Sequence, residues 1–149
     1  MYQYKHLLIA SDLTPESVEV CRQAKHLADT LQAKLSIVHV VEPPPLLYGG
    51  GEFVIPMDVD IEASLADDAK TSLNQQSQFI GIPKSEQWVV IGNLREEIVQ
   101  IVHEHAIDLI VVGGHDRHGL SLLLPSTTDT LVHALPCDIW VIKIEDNKK

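Results

Sequence analysis

Apolar positions along this chain switch between two periods. Residues 5–11 (KHLLIAS) form a short continuous apolar run, the mark of a strand covered on both faces. Over residues 15–31, Val18, Cys21, Ala24, Leu27, Ala28 and Leu31 recur in steps of three and four, which lines one face of a helix. Thr14 before Pro15 reads as an N-cap with proline at the first helical position. Residues 34–41 (KLSIVHVV) make a second strand, stopped by Pro43-Pro44-Pro45. The glycine-rich stretch 48–58 is too long for a simple connector and reads as a flap. From 60 to 79, Ile61, Leu65, Ala69, Leu73 and Ser77 step by four, with Ala66 and Phe79 near the same face. That predicts a second helix, ended by Gly81. Residues 87–91 are a third strand, and Asn93 with Glu96 has the form of a capping box opening a helix over 94–105. A fourth strand covers 108–113, where the apolar run ends in Gly113-Gly114 and hands over to a loop. Residues 126–134 predict a short helix. Asp138 to Ile144 predict a last strand, with Ile139, Val141 and Ile144 on one side and Trp140 and Ile142 on the other.

Strands alternating with helices specify a parallel sheet with helices on both faces. Right-handed crossovers then give a doubly wound α/β fold. Ligands of such folds sit outside the carboxyl ends of the strands, where the winding reverses. Here that point joins Ala10-Ser11-Asp12 to Gly113-Gly114. Asp12 has two readings of equal standing: a ligand contact, or an Asx turn capping the loop into Thr14-Pro15. Ser126-Thr127-Thr128 opens a helical pattern, so backbone N–H groups and hydroxyls there are offered to an anion. Ser126 also reads as a simple N-cap, and Ser126, Thr127 and Thr128 are candidate phosphoacceptors, since a phosphate is electrostatically tolerated at a helix start.

A length of 149 residues favours one domain spanning 1–149. The net charge of −10 argues against nucleic-acid backbones, which need a basic face, and against anionic membrane. No apolar stretch approaches the ~18 residues of a membrane span, and the first residues do not read as a leader. A cytoplasmic protein is expected. Cys21 and Cys137 form no CxxC pair and read as inert thiols. The His115-x2-His118 pair around Asp116 reads as loop histidines in solvent rather than a metal site, because further ligands are not evident. His103 and His105 suit a helix C-terminus. A nucleophile elbow, a Walker loop and a paired-carboxylate spacing are all missing from the sequence, so no catalytic residue is assigned.

Four stretches, taken in order and spacing, resemble the universal stress protein family: YKHLLIASDLTPES at 4–17, AKLSIVHV at 33–40, DLIVVG at 108–113 and PCDIWVI at 136–142. The resemblance covers nearly the whole chain. It implies a Rossmann-like fold with a five-stranded sheet in the order 3-2-1-4-5, and a cytoplasmic homodimer induced by stress or growth arrest, generally without catalysis. The nucleotide-binding branch of that family carries G-x2-G-x9-G-[S/T] after the fourth strand. Matched here, the first glycine falls on Gly113, the second on Asp116 and the third on Pro125, one residue early; Ser126 supplies the hydroxyl. Pro125 removes a donor and Asp116 places a negative charge beside a polyanion. These departures resemble the branch of the founding member in enteric bacteria, which implies weak ATP binding at most. The residues that keep an ATP or AMP site in question are Ala10, Asp12, Val40, Gly113, Ser126 and Thr127, with Arg117 and Gly119 in the loop as partial compensation. ATP hydrolysis, if weak, has no identifiable base. The expected role is a stress-resistance factor acting on unidentified protein partners, and the alternative is a nucleotide sensor. Pairing of the last strand, Asp138 to Ile144, with its two-fold copy is the expected dimer contact, since a bare apolar edge aggregates.

Overall fold

A computed structural model describes residues 3–42, 59–115 and 133–144. Its elements run β1 (His6–Ala10), α1 (Ser17–Leu31), β2 (Lys34–Val41), α2 (Val59–Gln78), β3 (Gln87–Ile91), α3 (Leu94–His105), β4 (Leu109–His115) and β5 (Asp138–Ile144), with a 3-10 turn at Lys84–Glu86 before β3. The strands form one sheet in the order β3-β2-β1-β4-β5, parallel throughout. This is the doubly wound arrangement that the alternation of periods specifies. The expected helix over 126–134 lies mostly outside the described residues; His133 and Ala134, at its end, are helical. The stretch 48–58 also lies outside them.

The pleat divides the core in two. Leu7 and Ile9 of β1 point to the face covered by α1 and α2, with Val20, Cys21, Ala24, Leu73, Val111, Ile142 and Ile144. Leu8 and Ala10 point to the other face, with Ile98, Ile101 and Val102 of α3 and Ile110 and Val112. All five residues of β1 are buried, as a central parallel strand requires. Both ends of the sheet are edge strands, β3 and β5.

Several boundaries and faces differ from the periodic reading. Helix α1 begins at Ser17, not Pro15, and Thr14 does not cap it: its hydroxyl donates to Asp12 Oδ1 (2.6 Å) instead. The buried stripe of α1 is Val20, Cys21, Ala24 and Ala28, while Val18 is exposed. On α2 the stripe is Ala66, Ala69, Leu73 and Gln76–Ser77, with Ile80 buried just past its end. A strict step of four drifts off a 3.6-residue helix, which leaves Leu65 exposed; Phe79 lies past the end of α2 and is 82% exposed. Gly81 does end α2: it adopts φ +73, and the Ile82 N–H reaches back to the Ser77 carbonyl at 3.2 Å, the long bond of a Schellman motif. Asn93 caps α3 through Oδ1, which accepts from the Glu96 N–H at 3.2 Å. Strand β4 runs on through both glycines, because β5 pairs with it as far as His115↔Ile144. In β5, Ile142 and Ile144 share the first core with Trp140, so Ile144 lies on the side opposite to that expected. Ile139 packs into the second core.

Candidate functional site

Among the described residues, the crevice between the carboxyl ends of β1 and β4 is built from the end of β1 and the loop after it, with α1, Gly113 of β4 and Ile144 of β5. Ser11 extends the pairing of β1, its N–H bonding the Val38 carbonyl at 2.9 Å. Asp12 then turns the chain: Oδ1 accepts from the Thr14 N–H (3.0 Å) and from the Thr14 hydroxyl. This is an Asx turn, so the loop-capping reading of Asp12 holds in the structure. Leu13 adopts φ +62, a left-handed conformation that costs a non-glycine residue roughly 1–2 kcal/mol. Its N–H is held by Ser11 Oγ at 3.1 Å.

A buried polar side chain from α2 fixes this loop. Gln76 Nε2 donates to the Thr14 carbonyl (3.0 Å) and to Ser17 Oγ (2.7 Å), while its Oε1 accepts from Ser11 Oγ (2.9 Å). His39 Nδ1 donates to the Ser11 carbonyl at 2.8 Å, a role fixed by the carbonyl being an acceptor only. Gln76 and Ser17 were not singled out from the sequence, and Ser11 only as part of the Ala10-Ser11-Asp12 junction. The signal available was a glutamine on the buried stripe of α2, where an apolar residue is the rule.

Ala10, Asp12 and Gly113 meet at the crevice, with Ile9, Ser11, Ser17, Val20 and Ile144. Among the described residues, the space between them is about 10 Å³, room for about one water, against the roughly 300 Å³ or more of a small-molecule site. Gly113 explains the closure. A Cβ there would stand 2.7 Å from Ile144 Cδ1 and 2.9 Å from Val20 Cγ2, so the glycine admits β5 and α1 rather than opening a ligand path. Val40 does not line the crevice; it packs with Ala10 against the α3 face. Ser126, Thr127 and Thr128 lie outside the described residues, as do Asp116, Arg117, His118, Gly119 and Pro125. Larger openings lie elsewhere: about 720 Å³ at the opposite end of the sheet beside His6, Asp108 and Asp138, and about 410 Å³ between α2 and β3.

Both cysteines are free. Burial, with the Asp12 charge adding to it, pushes the Cys21 thiol up to about 12. Burial and the nearby Asp138 and Asp108 charges push Cys137 to about 11. Both therefore stay protonated and unreactive near neutrality. Among the described residues, no three His, Cys, Asp or Glu side chains converge as a metal site would need, and no helix is long and apolar enough to cross a membrane.

The model of the universal stress protein family matches residues 3–143. The chain belongs to that family. Universal stress protein A homolog 1 of Coxiella burnetii is 36% identical over 143 residues, covering 96% of this chain and 99% of its own. Among solved structures, the universal stress protein UspA of Lactobacillus plantarum superposes with a TM-score of 0.70 at 23% identity, over 95% of this chain and 99% of its own. A universal stress protein in complex with cAMP superposes with a TM-score of 0.60 at 21% identity, over 95% of this chain and 98% of its own. The family match takes in the Ser11–Asp12 loop, Gly113 and nearly all of β5.

Proposed function

We propose that this universal stress protein, one domain over residues 1–149, performs no chemistry of its own. It serves as a dimeric, cytoplasmic stress-response factor that acts by interaction or regulation and carries a reduced nucleotide pocket. The observation that carries this reading is the crevice of about 10 Å³ at the winding reversal, where Gly113 is taken up by packing and the Asp12 carboxylate is engaged by its own loop. The sequence departures at Asp116 and Pro125 point the same way. The dimer contact is β5, an edge strand with Val141 43% exposed.

A second reading, an ATP- or AMP-binding sensor, is favoured by the structural relative solved with cAMP, by the meeting of Ala10, Asp12 and Gly113 at one place, and by the hydroxyls that Ser126 and Thr127 supply in the sequence. Thermal melting of the nucleotide-stripped protein with ATP, AMP and cAMP at ~5 mM separates the two. A site filled at 100 times its Kd adds about 2.7 kcal/mol, several degrees for a chain of this size. The first reading expects no shift with any of the three. A shift abolished by Asp12→Ala transfers the protein to the second reading.

A further inference from the structure

At the end of the sheet opposite the crevice, side chains from three elements form a hydrogen-bonded row. The His6 ring of β1, nearly fully buried, directs Nδ1 to the His105 carbonyl at 3.0 Å and Nε2 to Ser36 Oγ at 2.7 Å. Ser36 of β2 has no exposed surface and lies 2.6 Å from Glu86 Oε2, on the turn Lys84–Glu86 that leads into edge strand β3. Glu86 Oε1 in turn pairs with Lys34 Nζ at 3.0 Å. Trp88 meets the His6 ring edge-on and stacks on His105, with ring centroids 6.4 and 4.2 Å apart.

The row can be solved by counting hydrogens. A carbonyl oxygen only accepts, so Nδ1 of His6 carries a hydrogen. If the ring is otherwise neutral and Glu86 ionised, the one Ser36 hydrogen must serve two acceptors, Nε2 and Oε2. Both short contacts are made together only when the row holds one more proton. The Lys34 ammonium keeps that proton off Glu86, so it sits on Nε2. Ser36 then accepts from His6 and donates to Glu86. When the proton leaves, Ser36 turns its hydrogen to Nε2 and the bond to Glu86 is lost.

We propose that His6, Ser36 and Glu86 form a proton-gated latch. With the ring doubly protonated, Ser36 fastens the Lys84–Glu86 turn, and through it the start of β3, to β1 and β2. With the ring neutral, Glu86 keeps only its pair with Lys34.

The charged groups facing the ring come from every neighbouring element. Lys34 of β2 and His105 of α3 repel the second proton, and Glu86 attracts it. Asp108, ahead of β4, is occupied by two backbone amides: Oδ1 accepts from His6 and Oδ2 from Lys5. Burial is the largest influence and pulls the ring below its ordinary 6.5, with the backbone bond to His105 opposing it. The latch is therefore slack at neutral pH and closes on acidification, in the range where Glu86, held below its ordinary 4.5, is still ionised.

Nuclear magnetic resonance titration of the full chain tests this independently of any ligand. The His6 ring is expected to titrate with a midpoint below 6.5, and the amides of residues 84–87 to follow that same midpoint. In Ser36→Ala the ring still titrates and the amides no longer follow. Glu86→Gln provides a second arm should Ser36→Ala fail to fold: removal of the attracting charge lowers the ring midpoint further and uncouples the amides. A ring silent across the range, amides silent through its midpoint, or amides that follow it unchanged in either variant would each overturn the latch.

Discussion

Gly113 illustrates how one residue type serves two different ends. By sequence it aligns with a phosphate-approach glycine; in the fold it is the position where Ile144 and Val20 close over the strand. Gly113→Ala is expected to cost about 1–3 kcal/mol by overpacking, read as a lower urea midpoint at unchanged m-value. A loss of only a few tenths would mean that Ile144 and Val20 yield freely and that the glycine is there for another reason. Gln76 is the complementary case. Gln76→Leu removes one partner each from Ser11, Ser17 and the Thr14 carbonyl. Ser17 and the Thr14 carbonyl keep their bonds to each other, so the buried Ser11 hydroxyl is the group stranded, at about 1–3 kcal/mol. The Leu13 and Thr14 amides should then exchange faster than those of β1. Slow, unchanged exchange there would show that the Asx turn holds the loop unaided.

At the level of elements, capping and turn chemistry were legible in the sequence where they depend on neighbours in the chain. Asn93 caps α3 and Gly81 ends α2 as read. Gly81 stands in open space at φ +73, so Gly81→Ala is expected to cost the left-handed conformation alone, roughly 1–2 kcal/mol. Gly81→Asn should recover much of that loss in thermal melting; an alanine variant as stable as the native chain would show that the turn refolds around it. Thr14 failed as a cap because Asp12, two residues earlier, competes for its hydroxyl and amide. The face of α2 was misjudged at Leu65, because several residues of one helix fit a step of four and only packing against β2 and β3 selects the stripe. The glycines of β4 are strand rather than loop because β5 lies alongside them, a fact of pairing between segments distant in sequence.

At the scale of the whole molecule, acid acts in one direction on His6 and Glu86. His6 is held below its ordinary value by burial, so the stability it contributes is complete above 6.5 and is lost as pH falls through its folded value. Glu86 is also held low, by its bonds to Ser36 and Lys34 against its own burial, and its contribution is lost at still lower pH. Urea unfolding between about pH 7.5 and pH 4.5 should therefore show falling stability, with the upper part of the fall absent in His6→Gln. An equal fall in that variant would place the effect on other groups. The proposed β5 dimer makes a separate claim on the same scale. Val141→Glu puts a charge at the exposed centre of that edge and should yield a folded monomer by sedimentation equilibrium, whereas an unchanged dimer would move the contact elsewhere.

The alternation of short apolar runs with a period near 3.6 determined the fold class, a doubly wound parallel sheet, because it follows from local geometry and the handedness of crossovers, whereas the order of the strands came with the family resemblance. It also brought Ala10, Asp12 and Gly113 to one spot. Only the tertiary structure decided that this spot is nearly filled, that Val40 stands apart from it, and that Gln76 fixes its loop. Those outcomes depend on which side chains from α1, α2 and β5 arrive at the same few ångströms, and no spacing along a single chain specifies such a meeting. The His6–Ser36–Glu86 row has the same origin: three polar residues up to 80 positions apart that become partners because β1, β2 and the turn before β3 lie side by side.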